Sequence, residues 1–277
     1  MSPSARPAFE SSGNSLLAAL NSQSVSVQEG DSLHLPRLLC LHGGGTNARI
    51  FEAQCRIIKL HLAQYFRLVF ADAPFVSWPG PDVELVYAEC GPFRSWLRPV
   101  PGLSTGYAVY DADEATIKAI DRRITIAMDE DDKLGGTGEW VGLLGFSQGA
   151  KMAASLLLRQ QKLNAAGIPK AGEQVDSRKT NYRFAVVMAG RGPLISMDPD
   201  APEEQPGLLT LKTIHVHGLQ DPGLEMHRDL LYDCCKTGST RLVEWDGNHR
   251  LPIKTKDVDA VVTAILDVAE ETGALTG

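Results

Sequence analysis

Short runs of apolar residues recur along this chain, and stretches with helical periodicity separate them. A short apolar run between turn residues is typical of a strand that is buried on both faces. The alternation of such runs with helical stretches predicts a mostly parallel sheet with helices on both faces. The predicted strands are Arg37–Leu41, Arg67–Phe70, Trp140–Leu144, Arg183–Met188, Thr213–Gly218 and Arg241–Trp245.

Apolar residues at helical spacing predict the connecting helices. Thr46 or Asn47 is a suitable N-cap for the first helix, which carries apolar residues from Ile50 to Leu62. Further helices are predicted over Asp111–Met128, from Ala150 to Arg159 and over Lys256–Glu271. Another is predicted after the strand Thr213–Gly218, ending at Cys235.

Two regions lack this periodicity. Residues 1–30 are rich in Ser, Ala, Pro and Asn, which predicts a flexible N-terminal tail. Residues 76–110 alternate prolines with aromatic residues, and a long irregular stretch inside a domain is commonly functional. We interpret it as a lid inserted into one domain that spans residues 31–277.

Composition excludes several classes of function. The 277 residues suffice for one large α/β domain, and the net charge of −7 argues against general nucleic-acid binding. No apolar run reaches the length of a membrane span, and the N-terminus lacks the pattern of a secretory signal. Five cysteines, an odd number without a CxxC motif, favour a reducing compartment, so a cytoplasmic location is expected.

Gly145-Phe146-Ser147-Gln148-Gly149 is the most informative motif in the chain. It reads G-x-S-x-G, and it lies between a predicted buried strand and a predicted helix. This strand–turn–helix context is typical of a nucleophile elbow, in which a sharp bend exposes a serine hydroxyl. Glycines flank the serine because the bend leaves no room for side chains.

A serine nucleophile needs a base, and the base needs an orienting acid. In this class the partners follow the serine in the order acid, then histidine. Asp221 and His249 meet that order, and each lies just after a predicted strand. Because the carboxyl ends of parallel strands meet at one edge of the sheet, Ser147, Asp221 and His249 are expected to lie together.

Acyl transfer also requires donors for the developing oxyanion. The backbone N–H of Gln148, at the start of the elbow helix, is the first predicted donor. The second is expected from the glycine-rich loop after the first core strand, with Gly44 preferred and Gly45 as the alternative.

Each of these residues also has a simpler interpretation. Ser147 could only cap a helix, Asp221 could be a turn residue before Pro222, and His249 could be a solvated loop residue. His215 and His217 share one strand face, but a metal site would need a third ligand that the sequence does not indicate. We therefore predict no metal and no cofactor.

Five segments together resemble the fungal family of serine hydrolases, which are compact α/β-hydrolases similar to small esterases. The resemblance runs from about Pro36 to Leu266. The chain departs from the family pattern in two places: Asn248 stands where a glycine is usual, and Ala189-Gly190-Arg191 stands where Ser-Gly-Phe is usual. The segments are Leu41-His42-Gly43-Gly44, Asp72-Ala73-Pro74, Gly145 to Ala150, His215 to Pro222, and Gly247 to Pro252.

This resemblance implies an α/β-hydrolase fold, a triad of Ser147, Asp221 and His249, and an acyl-ester or acyl-thioester substrate. Several members of the family are thioesterases that release an acyl chain from the carrier domain of a polyketide synthase. It therefore implies release of a polyketide or fatty-acyl chain in fungal secondary metabolism. A general carboxylesterase, an acyltransferase and an inactive ligand-binding hydrolase fold remain alternatives.

Two surfaces would serve such a substrate. A pocket could be lined by aromatic residues of the lid and by the loop after the strand Arg183–Met188, although the aromatics could also simply pack; these residues are Phe75, Trp78, Phe93, Trp96 and Arg191. An acidic carrier domain would need a local basic patch, for which the candidates are Arg94, Arg98, Lys151, Arg178 and Lys179.

Overall fold

The computed structural model describes residues 32–99, 110–111, 113–166, 180–197 and 207–275. The predicted tail, residues 1–30, lies outside these ranges. Elements are numbered here in chain order within the described residues. They are β1 (Arg37–Leu41), α1 (Ala48–Gln54), α2 (Arg56–Leu62), β2 (Arg67–Ala71), β3 (Phe75–Val76), α3 (Pro81–Tyr87), a 3-10 turn (Ala88–Cys90), β4 (Arg94–Ser95), β5 (Arg98–Pro99), β6 (Tyr110–Asp111), α4 (Glu114–Lys133), β7 (Trp140–Phe146), α5 (Gln148–Ala165), β8 (Thr180–Met188), β9 (Lys212–Gly218), α6 (Leu224–Asp233), β10 (Thr240–Trp245) and α7 (Thr255–Glu271).

Six strands form one sheet in the order β10-β9-β8-β7-β1-β2, and every neighbouring pair is parallel. The chain winds from β1 to β2 in one direction and from β7 to β10 in the other. The strand order therefore reverses between β1 and β7, which are hydrogen-bonded neighbours. In open parallel sheets, ligands bind at the carboxyl edge beside this reversal.

The central strands are apolar because both faces of the sheet are covered. All seven residues of β7 are buried. Gly142 within it has no room for a side chain, since a Cβ there would lie 2.9 Å from side-chain carbons of both Leu38 and Phe184. Helices α4 and α5 pack on one face, and α1, α2 and α7 pack on the other. The predicted mostly parallel sheet with helices on both faces is confirmed.

Helix α1 begins where the sequence indicated. The side chain of Asn47 accepts a hydrogen bond from the N–H of Ile50 at 2.9 Å, so Asn47 and not Thr46 is the N-cap. Helix α4 begins in the same way, with Asp113 accepting from the N–H of Thr116 at 2.7 Å. Each cap satisfies a donor that the first helical turn would otherwise leave unpaired.

The described part of residues 76–110 is more regular than the sequence predicted. It contains α3, a 3-10 turn, and a short antiparallel pair formed by β3 and β4. Pro81 begins α3 directly after Gly80. A proline is common at the first position of a helix, so Pro81 could have indicated this helix, which we did not predict from the sequence. The segment is joined to the core because the N–H of Gly80 donates to the carbonyl oxygen of Gly45 at 3.1 Å.

Candidate active site

Ser147 lies in a sharp turn between β7 and α5. Its φ of 54° is left-handed, a conformation that costs a serine free energy. A Cβ on Gly145 would lie 2.2 Å from the carbonyl oxygen of Gly149, and one on Gly149 would lie 2.0 Å from the carbonyl oxygen of Leu41. The two glycines therefore permit a bend that no other residue type could make here.

The side chains of Ser147, His249 and Asp221 come together at the carboxyl edge of the sheet. The Oγ of Ser147 lies 3.0 Å from Nε2 of His249, and Nδ1 of His249 lies 2.6 Å from Oδ2 of Asp221. A carboxylate accepts, so Nδ1 carries the proton and Nε2 is left to accept the proton of the serine hydroxyl. Asp221 follows β9, and His249 follows β10.

Asp221 is held as a carboxylate. Burial raises its pKa, but hydrogen bonds from the N–H of Gly223 and from His249 outweigh that effect and hold the pKa below its usual value. The N–H of Gly223 donates to Oδ1 at 2.7 Å. The acid is 5% exposed, so its orientation is fixed mainly by these protein contacts.

A further histidine, His227 on α6, contacts the same acid. Its Nε2 lies 3.0 Å from Oδ2 of Asp221, and its Nδ1 lies 3.0 Å from the carbonyl oxygen of Gly190. Asp221, His227 and His249 form the one group of three potential metal ligands found in the described residues. Tetrahedral zinc separates its ligand atoms by about 3.3 Å, so the 2.6 Å contact between Oδ2 of Asp221 and Nδ1 of His249 fits a hydrogen bond better than a metal ion.

The loop after β1 is held rigidly beneath the serine. The N–H of Ala73 donates to Nε2 of His42 at 3.0 Å, which places the proton of His42 on Nδ1, facing the carbonyl oxygen of Gly43 at 2.7 Å. Burial lowers the pKa of His42 to about 4, so the ring is neutral at physiological pH. The hydroxyl of Thr46 donates to the same carbonyl oxygen of Gly43.

The two candidate oxyanion donors on this loop differ in their hydrogen bonding. The N–H of Gly45 donates to the carbonyl oxygen of Arg94 at 2.9 Å, so it is already used. Gly45 therefore does not suit the role that the sequence left open for it, and Gly44 stays the predicted donor on this loop. The side chain of Gln148 braces this arrangement, because its Oε1 accepts from the N–H of Trp96 at 2.7 Å and from the hydroxyl of Ser95.

The five predicted pocket residues lie in different environments. Trp96 is fully buried and its indole N–H donates to the carbonyl oxygen of His42, so it supports the loop. Trp78 is 89% exposed. Phe75 and Phe93 are half-buried, and the guanidinium of Arg98 lies over the ring of Phe75. Arg191 is directed toward Gly223, beside the turn that carries Asp221.

The predicted basic docking patch is not assembled by its described members. Arg94 is turned inward, where it donates to the carbonyl oxygen of Ala73 and lies 3.6 Å from Asp72. Lys151 is half-buried, and burial lowers its pKa. Arg98 is exposed, while Arg178 and Lys179 lie outside the described residues.

His215 and His217 are both buried on β9. Nδ1 of His215 and both ring nitrogens of His217 have no hydrogen-bond partner among the described residues, and burial lowers the pKa of these rings to about 3 and about 4, respectively. They are neutral side chains under the site, and neither belongs to the group of three potential metal ligands found in the described residues.

No helix in the described part of the chain combines the length and apolar character needed to traverse a bilayer.

Sequence reasoning missed His227 and the bracing side chain of Gln148. His227 lies six residues after Asp221, on the helix that follows it. A histidine placed so soon after a candidate acid could have indicated a second contact with that acid. The role of the Gln148 side chain depends on Ser95 and Trp96, in a segment whose path the sequence did not predict.

A parallel sheet with helices on both faces and a serine–histidine–aspartate chain at its carboxyl edge defines an α/β-hydrolase with the active site of a serine hydrolase. The structure of Arabidopsis thaliana SOBER1 has a similar fold, with a TM-score of 0.50 and 19% identity, covering 84% of this chain and 98% of that one.

Residues 32–261 match the family model described as serine hydrolase (FSH1), and the chain belongs to that family. It is 53% identical to esterase pigG of Monascus ruber, over 89% of this chain and 96% of the relative. It is 58% identical to a probable esterase of Aspergillus terreus, over 85% of this chain and 89% of the relative. The protein is therefore a hydrolase of esterase type, and an ester is a fitting substrate.

Proposed function

We propose that Ser147 is the nucleophile of a hydrolase that cleaves acyl esters or thioesters through an acyl-enzyme. The observation that carries this proposal is the continuous chain of contacts from Ser147 Oγ to His249 and on to Asp221, at 3.0 Å and 2.6 Å. Both distances lie in the range over which a proton can be transferred.

In the acylation step, Nε2 of His249 takes the proton of the Ser147 hydroxyl as the oxygen attacks the acyl carbon. The negative charge that develops on the acyl oxygen is stabilised by the backbone N–H groups of Gln148 and Gly44. His249 then gives its proton to the departing alcohol or thiol. Asp221 stabilises the imidazolium and keeps Nδ1 protonated.

In the deacylation step, His249 takes a proton from water, and the resulting hydroxide attacks the acyl carbon. Collapse of the second tetrahedral intermediate breaks the bond to Ser147 Oγ, which regains its proton from His249. The free acid leaves, and the enzyme is restored with no net consumption of any protein group.

For the biological substrate, we propose an acyl thioester on a carrier domain, released as a free acid in fungal secondary metabolism. The resemblance to polyketide-offloading members of the family supports this assignment, and the names of the two fungal relatives, an esterase and a probable esterase, support the broader class. A simple oxyester hydrolase is the second candidate, favoured because Arg98 is the one described member of the proposed basic patch that is exposed.

The test is intact-mass detection of an acyl adduct after incubation with acyl thioesters of several chain lengths, with Ser147→Ala as the control. We expect a mass increase equal to the acyl group in the wild type and none in Ser147→Ala, whose turnover should fall by several orders of magnitude. An adduct that persists in Ser147→Ala would refute the assignment of the nucleophile.

Substrate class is tested separately. Turnover of a carrier-bound thioester is compared with that of the same acyl group as a free thioester and as a p-nitrophenyl ester. Faster turnover on the carrier, reduced by added salt, supports the carrier hypothesis. Equal turnover that is insensitive to salt favours the simple esterase.

A further inference from the structure

The acid of the site is contacted by two histidines that approach the same oxygen. Oδ2 of Asp221 lies 2.6 Å from Nδ1 of His249 and 3.0 Å from Nε2 of His227. The first contact is a regular hydrogen bond. In the second, Oδ2 lies off the axis of the Nε2–H direction, so the contact is bent. A catalytic Ser-His-Asp chain needs only the first contact, and the second therefore requires an explanation.

His227 is anchored at its opposite end by a strained loop. Its Nδ1 lies 3.0 Å from the carbonyl oxygen of Gly190. The preceding residue, Ala189, has a φ of 51°, and within the described residues it shares a positive φ among non-glycines only with Ser147. Such strain persists where the surrounding structure imposes it, commonly at functional sites. The loop after β8 thus presents its carbonyl to His227 at a cost in backbone free energy.

His227 also lies against the catalytic base. The rings of His227 and His249 are stacked, with centroids 5.9 Å apart and planes inclined by 26°. His227 is completely buried, and its position is therefore fixed by packing. The other titratable or charged groups around it are Asp221, His217, whose ring is 5.8 Å away, and Arg191, whose guanidinium approaches Gly223.

The hydrogen-bonding chemistry of the ring explains why two acceptors face it. The carbonyl oxygen of Gly190 and the carboxylate of Asp221 both accept, so each contact needs a proton on the facing ring nitrogen. A protonated ring satisfies both contacts. A neutral ring satisfies one, and the carboxylate is the stronger acceptor because it is charged. In either state a proton on Nε2 avoids placing a nitrogen lone pair against the carboxylate, even though the Nε2–H direction is bent away from Oδ2.

We propose that His227 is a positioning residue for the catalytic acid, which holds the Asp221 carboxylate in the orientation that aligns His249 with Ser147. This inference rests on the roles proposed above for Ser147, His249 and Asp221. His227 acts through Asp221 and does not touch the substrate. The bridge from Gly190 through His227 to Asp221 ties the acid to the loop after β8.

A pair of near-isosteric variants separates this role from simple packing. In His227→Gln the amide nitrogen reaches the place of Nε2, so the contact with Asp221 is kept and that with Gly190 is lost. In His227→Asn the amide nitrogen takes the place of Nδ1, so the contact with Gly190 is kept and that with Asp221 is lost. We expect kcat of the Asn variant to be about 10- to 100-fold below that of the Gln variant, with similar KM, because a misplaced catalytic group costs up to about 100-fold.

Equal kcat values for the two variants, or kcat values that simply follow their melting temperatures, would overturn the proposal. A measurement on the unmodified enzyme covers the case in which both variants fold poorly. Nitrogen-15 NMR of the histidine rings should show a proton on Nε2 of His227 at the pH of maximal activity. An unprotonated Nε2 would equally overturn the proposal. The proposed function fails separately, through undiminished activity of Ser147→Ala.

Discussion

At the amino edge of the central sheet, the guanidinium of Arg37 is buried against Asp131 and Asp132, at 3.1 and 2.6 Å, and lies over the ring of Trp140. At the carboxyl edge, His249 is paired with Asp221 on one side, while its other nitrogen faces the hydroxyl of Ser147. Both edges therefore contain charged groups withdrawn from water. They differ in whether those groups can still react.

The amino-edge cluster is saturated. Asp131 accepts from Arg37 and from Arg67, and Nε of Arg37 donates to the carbonyl oxygen of Gly138. A buried charge with a complete set of partners has no free donor or acceptor for a substrate. Removing one of its partners would destabilise the fold, because it would leave a buried charge uncompensated. The carboxyl edge instead contains a strained serine and a histidine that is 28% exposed on its side chain, and both can meet a ligand.

Replacing the base should have the largest effect. His249→Gln removes the group that accepts the proton of Ser147, and we expect kcat to fall about 10⁶-fold. Because His249 is partly exposed, the melting temperature should change little. His61→Gln, which alters a half-exposed histidine on α2, is the matched control and should retain full activity. Substantial esterase activity in His249→Gln would show that the charged groups of the carboxyl edge are no more reactive than those of the amino edge.

The opposite result is expected at the amino edge. Asp131→Asn leaves Arg37 and Arg67 without their shared carboxylate, and we expect the free energy of unfolding to fall by about 3–5 kcal/mol. Activity per folded molecule should not change. Asp267→Asn, which breaks an exposed pair with Arg241, is the control and should cost at most about 1 kcal/mol. Urea denaturation gives the stability, and active-site titration gives the folded fraction.

The buried His42, at the carboxyl edge, should make the protein less stable in mild acid. The pKa of His42 is lowered to about 4 by burial, so the unfolded chain takes up a proton at this residue near pH 6.5 while the folded protein does not. The stabilisation is therefore complete above pH 6.5 and is lost as the pH falls to 4, by about 3 kcal/mol.

His42→Gln can keep the acceptor for Ala73 and does not titrate, so it isolates this contribution. The buried His215 and His217 are present in both proteins and cancel in the comparison. We expect the unfolding free energy of the wild type to fall more steeply than that of His42→Gln between pH 7 and 4. Parallel pH dependences would show that His42 is not a buried neutral residue.

The smallest effect is expected for the bracing side chain of Gln148. Gln148→Ala keeps the backbone N–H but removes the acceptor for Trp96 and Ser95, and we expect kcat to fall about 10-fold as the two donors lose alignment. Gln161→Ala removes a comparable acceptor, for the N–H of Thr210, at the other end of α5. It should leave kcat unchanged. Equal rates for the two variants would show that the brace has no part in catalysis.

The sequence predicted the sheet well because each central strand is buried on both faces. The apolar runs that contain Leu143 and Val186 therefore mark the strands directly. It predicted the meeting of Ser147, Asp221 and His249 for a related reason, since parallel strands bring their carboxyl ends to one edge.

The described part of the segment from Val76 to Tyr110 was harder to predict because its elements are short and are fixed by contacts with other parts of the chain. Gly80 is bound to Gly45, and the N–H of Arg94 donates to the carbonyl oxygen of Thr46. Such pairings have no local periodicity. The same reason explains why His227 escaped notice: its role depends on Gly190 and Asp221, which meet it only in the folded chain.

The most direct test of the site is the position and rate of fluorophosphonate labelling, determined by peptide mass spectrometry. We expect the wild type to be labelled at Ser147, His249→Gln to be labelled at that residue far more slowly, and Ser147→Ala to remain unlabelled. Labelling at a different residue, or equal labelling rates in the wild type and His249→Gln, would contradict the proposal that His249 activates Ser147.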